Sequence, residues 1–154
     1  MCEPAWPWLP TSWMAPSTKI PKMSRYRVEQ TSTAVQWTGS WSLINNPLTS
    51  GGSANVSQTA GSTATFTFTG TDVCWIGYRD AWSGVANVYI DGALKATVDT
   101  YAAKVTTRAK AVLYSATGLT SGTHTIVIEA TGTKRSAAKG AWVWVDAFDY
   151  FSSN

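Results

Sequence analysis

The sequence predicts an all-β fold, an antiparallel β-sandwich of jelly-roll type. Three observations carry that prediction. Short runs rich in Val, Ile, Thr and aromatic residues alternate with period two and are punctuated by turn residues at intervals of about 8–12 positions. No segment carries an apolar stripe of helical period. Only 14% of the 154 residues are charged, against about a quarter in ordinary globular chains, with Thr, Ser, Gly and Ala in their place.

Residues 1–24 differ from the rest. They hold five of the six prolines (Pro4, Pro7, Pro10, Pro16 and Pro21), the tryptophans Trp6, Trp8 and Trp13, and all three methionines. Proline removes a backbone donor and fixes φ, so no regular period survives this density. The segment reads as a Pro/Trp-rich leader or linker, natural or added by cloning, without packed structure. It does not read as a secretion signal, because a basic start is missing and prolines interrupt the apolar part. Residues 25–154 read as one domain, long enough to bury a real core.

Within the domain, 26–29 suit a first strand and 34–41 a weakly alternating second. Residues 43–62, rich in Asn, Ser and Gly, read as one long loop, a length often tied to function. Residues 63–69 alternate strictly, with Ala64, Phe66 and Phe68 inward. The run 73–78 is a strand on a half-buried surface, with Trp75 in the core. Residues 79–84 form a polar turn that carries Trp82. Residues 85–90 put Ala86, Val88 and Ile90 on one face, and Asp91-Gly92 is a two-residue hairpin signal. Further strands follow at 94–98, from 112, at 124–130 with Ile126 and Ile128 inward, and at 141–151.

Cys2 lies in a segment without packed structure and Cys74 sits mid-strand, so both read as free thiols and the fold is not expected to be a disulfide scaffold. His124 stands alone as the one histidine, on the inward parity of its strand, and reads as a packed or turn-bonding residue. With one histidine no Ser/His/Asp or Cys/His set assembles, and zinc-ligand spacing is absent. No 18-residue apolar run suggests a membrane span. A net charge of +3 is too small to imply nucleic acid.

Strand parity sorts the loops. The short tight turns fall at one end of the sandwich. The other end collects 43–62, the Trp82 turn, 100–110 and 132–140. Lys104, Arg108, Lys110, Lys134, Arg135 and Lys139, six of the twelve basic residues, lie in the last two of these. Trp82 and Tyr101 sit among them. An apolar platform with a few convergent polar groups is the usual make-up of a ligand site, and Asp80, Arg79, Lys134 and Arg135 supply the polar part. Excess positive charge favours an acidic ligand. Trp142 and Trp144 lie two apart and share a face of their strand, with Val143 and Val145 on the other. Either the valines face inward and the tryptophans form an outer platform, or both tryptophans are core around a bulge. Asp80 and Asp99 are the one carboxylate pair that parity brings to the same end, as a glycosidase would need.

The runs 68–80 (FTGTDVCWIGYRD), 88–92 (VYIDG), 98–101 (VDTY), 119–125 (LTSGTHT) and 144–149 (WVDAFD) together resemble the galactose-binding-domain-like β-sandwich modules attached to bacterial glycoside hydrolases and surface proteins. The resemblance covers roughly 25–152. It implies a non-catalytic carbohydrate-binding module, similar to families 6 and 35, whose partners are a polysaccharide or oligosaccharide and a covalently linked catalytic or surface domain in a longer secreted parent. Nucleic acid and membrane are not expected partners, and a monomer is expected. The family's sites lie in loops at one end or on a concave sheet face. The resemblance also implies a structural calcium, for which Glu29 and Asp146 are the candidate ligands. Arg27 departs from the pattern, standing where a second acid belongs. Two other readings stay open: a structural or adhesion domain with no sugar site, and a small β-sandwich lyase or hydrolase.

Overall fold

The computed structural model describes residues 20–153. The expectations placed on 1–19 and on Asn154 lie outside these. In chain order the strands are β1 (Met23–Glu29), β2 (Val35–Thr38), β3 (Ser42–Asn45), β4 (Ser53–Ser57), β5 (Thr63–Gly70), β6 (Asp72–Arg79), β7 (Val85–Ile90), β8 (Ala93–Asp99), β9 (Arg108–Ala116), β10 (Gly122–Ala130), β11 (Val143–Val145) and β12 (Ala147–Ser153). Helical structure among the described residues is limited to single 3-10 turns at Ser50–Gly52 and Lys104–Thr106, and no helix there is long and apolar enough to cross a membrane.

The strands form a four-stranded sheet in the order β1-β12-β6-β9, a five-stranded sheet β2-β5-β10-β7-β8 and a small sheet β11-β4-β3. All paired strands run antiparallel. The core lies between the two large sheets. Ala64, Phe66, Phe68, Val88, Ile126 and Ile128 from one meet Val73, Trp75 and Phe148 from the other. Phe66 stacks on Phe148 with ring centroids 5.1 Å apart. The period-two pattern fixes this register, since a slip of one residue would turn every inward side chain to solvent. Trp75 is fully buried, and its indole N–H donates to the Trp144 carbonyl at 3.0 Å. Asp91 and Gly92 take φ of 50° and 81° in the β7–β8 hairpin, as a turn with both central residues left-handed demands.

Four features depart from the sequence expectation. First, 43–62 is not a loop throughout: β3 and β4 pair as a hairpin. All four β3 residues are exposed, so the strand leaves no inward pattern to read. Second, β9 starts at Arg108, before the expected Val112. It carries an extra residue at each of two register shifts against β6, and such bulges blur alternation. Gly77 lies between those shifts, and a Cβ there would come within 2.5 Å of both Leu113 Cδ1 and the Trp144 carbonyl.

Third, the last strand is two. Asp146 is fully buried at the break, where its N–H donates to Ile76 O at 3.0 Å and its carbonyl accepts from Gln30 N at 3.1 Å. The chain thereby passes from the small sheet to the large one.

Fourth, β6 is buried on both faces along most of its length. Cys74, Ile76, Ala147 and Phe151 form a second apolar cluster on the side away from the core, with Met23 and Val112 against it. Cys74 is disulfide-bonded, not a free thiol. A mid-strand position suggested a free thiol, but a strand side chain that leaves the sheet can be bonded as readily as packed.

Candidate functional site

The site grows out of the turn after β6. Asp80 shapes that turn. Its Oδ1 accepts from the Trp82 N–H at 2.9 Å and from the Ser83 hydroxyl at 2.7 Å, the local side-chain bonding that lets Asp stand in for backbone turn partners. Neighbouring segments stitch the turn in place. Lys139 N donates to Ala81 O, Trp142 N to Trp82 O and Ala102 N to Asp80 O, at 2.8–3.1 Å. Three of the four segments that parity sent to one end therefore meet: the Trp82 turn, 100–110 and 132–140.

Trp82 emerges from this scaffold 53% exposed. Val143 and Val145 are fully buried while Trp142 and Trp144 are only half-buried. The three tryptophans Trp82, Trp142 and Trp144 line one cavity of about 390 Å³, together with Asp80, Ile44 and Val56. Gly140 lies against the first two tryptophans, because a Cβ there would lie 3.0 Å from Trp142 Cδ1 and from the Trp82 carbonyl, and 3.3 Å from Trp82 Cε3. Trp144 also stacks on Tyr78 at 4.8 Å. Its indole N–H is buried with no hydrogen-bond partner among the described residues, an orphan donor of the kind a ligand or water satisfies. A second cavity of about 360 Å³, lined by Tyr78, Trp82, Lys104, Thr107 and Lys139, also borders Trp82. The Lys139 ammonium stands 5.9 Å from the Trp82 ring centre.

The loop-end and sheet-face platforms, read from sequence as alternatives, are therefore one surface. The other expected residues stand apart from it. Arg79 donates to the Asp99 carbonyl at 2.9 Å and is not the partner of Asp80. Arg135 pairs with the Asp99 carboxylate at 2.5 Å and lies over the Tyr101 ring at 4.8 Å. Lys134 Nζ donates to Ala138 O at 2.6 Å. Tyr101, Lys134 and Arg135 line neither cavity. They hold the loops rather than the space between them. Asp80 and Asp99, the carboxylate pair considered for catalysis, are committed to the turn and to Arg135. The sequence reading missed Ile44, Val56 and Gly140. The first two lay inside the segment taken as a loop, and Gly140 carried no signal without the ring contacts. His124 bridges Asp91 Oδ2 (2.7 Å) and the Thr120 carbonyl (2.6 Å), so it is a turn-bonding residue.

The Glu29–Asp146 pair lies beside the Ser50–Gly52 turn. Ser50 joins the two acids, its N–H donating to Asp146 Oδ2 at 2.9 Å and its hydroxyl to Glu29 Oε1 at 2.6 Å. The remaining oxygens, Glu29 Oε2 and Asp146 Oδ1, are buried with no partner among the described residues. Burial first, and the neighbouring Glu29 charge after it, push the Asp146 carboxyl up to about 6, against the opposing pull of the Ser50 N–H and Arg27. Two orphaned carboxylate oxygens suit a hard cation. Arg27, in the position of the missing acid, is held instead by a two-pronged contact with Asp149 at 2.6 and 2.8 Å.

With this geometry in hand, the chain can be set beside known proteins. No family model matches it. In sequence it is 34% identical over 123 residues to an A type blood alpha-D-galactosamine galactosaminidase of Flavonifractor plautii, covering 80% of this chain and 10% of that protein. It is 33% identical over 125 residues to an A type blood N-acetyl-alpha-D-galactosamine deacetylase of the same organism, covering 81% and 14%. The chain thus spans about a tenth to a seventh of these enzymes. In structure it is similar to the CBM36-1 domain of a multidomain xylanase from the hindgut metagenome of Trinervitermes trinervoides, at TM-score 0.55 and 18% identity, over 85% of this chain and 98% of that domain. It is also similar to a family two carbohydrate esterase from Cellvibrio japonicus, at TM-score 0.59 and 11% identity, over 86% of this chain and 35% of that one. The fold is that of the carbohydrate-binding-module β-sandwich, and in sequence the chain matches a segment of larger carbohydrate-active enzymes.

Proposed function

We propose that this chain is a non-catalytic carbohydrate-binding domain of a longer, extracellular parent, and that sugar binds in the cavity shared by Trp82, Trp142 and Trp144. The observation that carries the reading is the convergence of three partly exposed indoles on one apolar cavity. Indole faces stack on the C–H faces of sugar rings, and the cavity falls within the roughly 300–1,000 Å³ range of small-ligand sites. Asp80 offers a polar partner beside those faces. A structural or adhesion domain has no use for this arrangement, which leaves apolar rings half in water and an indole donor unpaired.

The test is calorimetric titration with a panel of glycans. The panel starts with oligosaccharides bearing galactosamine and N-acetylgalactosamine, the sugars in the names of the two Flavonifractor enzymes, and extends to xylan and acidic polymers. Binding of one class, weakened in both Trp82→Ala and Trp142→Ala, supports the site. No binding across the panel would favour the structural or adhesion reading.

Glu29 and Asp146 would hold a calcium ion in the same domain, with further oxygens from backbone or water. The ion would offset the repulsion between the two acids and tie β1 to the β11–β12 junction. A calcium-dependent rise in melting temperature, absent in Glu29→Gln, is the expected result.

A further inference from the structure

The strongest concentration of charge lies away from the aromatic cavity. A groove of about 600 Å³ runs along the outer face of the β1-β12-β6-β9 sheet, and Arg25, Arg27, Arg79, Arg108 and Lys110 line it with Asp149. Five cations thus face one carboxylate, and Asp149 is already occupied by Arg27. Among the described residues, none of the ion pairs involves Arg25, Arg108 or Lys110.

The groove is built at some expense. Arg79 and Arg108 are direct cross-strand partners, an arrangement of like charges that destabilises a sheet unless something lies between them. Lys110 takes φ of 52° at the second register shift of β9, a conformation seldom adopted by residues other than glycine.

We infer that this groove binds the carboxylate or sulfate groups of an acidic glycan. Guanidinium groups match planar and tetrahedral oxyanions with paired N–H donors. No aromatic residue lines the groove, so it lacks the base-stacking platform that single-stranded nucleic acid sites use. Continuity favours a polymer over a free anion. Thr107 lines both this groove and the cavity beside Lys139, and that cavity shares Asp80 and Trp82 with the aromatic one. An extended chain seated against Trp82 thus has a continuous path to the basic groove. The inference rests on the carbohydrate reading for the identity of the polymer, though not for the anion site itself.

The test is affinity electrophoresis of the wild type, an Arg25→Gln/Arg108→Gln variant and Trp82→Ala. The gels contain polygalacturonate, heparin or neutral dextran, with a single-stranded oligonucleotide titrated in parallel. The wild type should be retarded by polygalacturonate or heparin, and less so as salt rises. The double variant should bind that polymer about tenfold or more weakly, since hydrogen bonds to charged groups are among the stronger ones, while its melting temperature holds or rises as the Arg79–Arg108 repulsion is relieved, and its binding to the neutral ligands of the aromatic cavity stays unchanged. Unaltered retardation of the double variant would overturn the inference, as would failure of both acidic polymers to retard the wild type. Oligonucleotide binding as tight as polymer binding would overturn it too, because the groove would then be a sink for any polyanion. Loss of acidic binding only in the double variant, with Trp82→Ala unaffected on every glycan, would keep the groove and discard the aromatic site. The converse pattern would do the reverse.

Discussion

Replacing Trp82 with alanine separates binding from stability, and its size can be worked out from exposure. An indole side chain of roughly 250 Å² that is 53% exposed presents about 130 Å² to water. A sugar ring stacked on one face covers about half of that, ~65 Å², and gives up a similar apolar area of its own. The ~130 Å² removed from water is worth about 3 kcal/mol at roughly 25 cal/mol per Å². Imperfect contact and residual stacking on Trp142 lower the figure, so the expected loss is about 1.5–3 kcal/mol, or roughly 10- to 100-fold in Kd. Folding should hardly notice, because the ring is half in solvent and the turn is held by backbone and Asp80 contacts that alanine keeps. A change within about 1 kcal/mol is expected for such a surface site. Calorimetric titration against the best glycan of the panel, with thermal melts in parallel, measures both quantities. Wild-type affinity in Trp82→Ala would refute the reasoning, since the ring would then be exposed without being used.

Gly77→Ala should destabilise the domain by about 1–3 kcal/mol, the usual range for overpacking, because one of the atoms the new Cβ meets is the Trp144 backbone carbonyl; chemical denaturation checks it. Gly140→Ala should cost about 1 kcal/mol in stability, the low end for overpacking, because the new Cβ meets the Trp82 carbonyl and the Trp142 ring at 3.0 Å; displacing both tryptophans should weaken glycan binding several-fold and shift tryptophan emission. The Thr120 carbonyl and Asp91 hold the His124 imidazolium and raise its pKa, so its contribution to stability is fully present below the ordinary value of about 6.5 and is lost as pH rises through the folded value; His124→Gln should remove that step from a melting-temperature profile. Asp146 runs in the same direction, its protonated form favouring the fold below about 6. Calcium should therefore raise the melting temperature above that pH and lose its effect well below it, and an equal shift on both sides would count against carboxylate ligation.

The two large sheets were legible wherever a strand buries one face and wets the other. The alternation at 63–69 and the Asp91-Gly92 hairpin are local properties of consecutive residues, and they appear where expected. β3 was not legible, because Ser42–Asn45 is exposed on every residue and owes its pairing to β4 alone. The break at Asp146 was hidden for a related reason. The residues before and after it read as one continuous apolar run, and only the contacts of its backbone with Gln30 and Ile76 end one strand and begin the next. The aromatic cavity was half visible. Parity gathered the loops that hold Trp82 and turned Trp142 and Trp144 away from Val143 and Val145, but the meeting of these two groups depends on hydrogen bonds between segments about sixty residues apart in sequence. Charge misled in one respect. Lys134 and Arg135 looked like free ligands and are used internally, because a count of basic residues carries no information about their partners.

The same partnering argument bears on how one domain would divide the work of recognising a polymer. Arg135 is neutralised by Asp99, so the loops nearest the indoles are less cationic than their composition suggests. Among the described residues, Lys104 and Lys139 remain beside Trp82 without a carboxylate partner, and the larger group of such cations sits farther along the sheet, at Arg25, Arg108 and Lys110. Stacking on indole is largely indifferent to salt, whereas an oxyanion held by guanidinium groups is screened over about 10 Å at 0.1 M ionic strength. A glycan spanning both surfaces would then show two regimes: a salt-insensitive floor set by Trp82, Trp142 and Trp144, and a salt-sensitive increment set by the arginines. Because the two surfaces are joined through the cavity beside Lys139, the increment should appear only for chains long enough to reach from one to the other, and short acidic oligosaccharides should bind at one surface or the other without it.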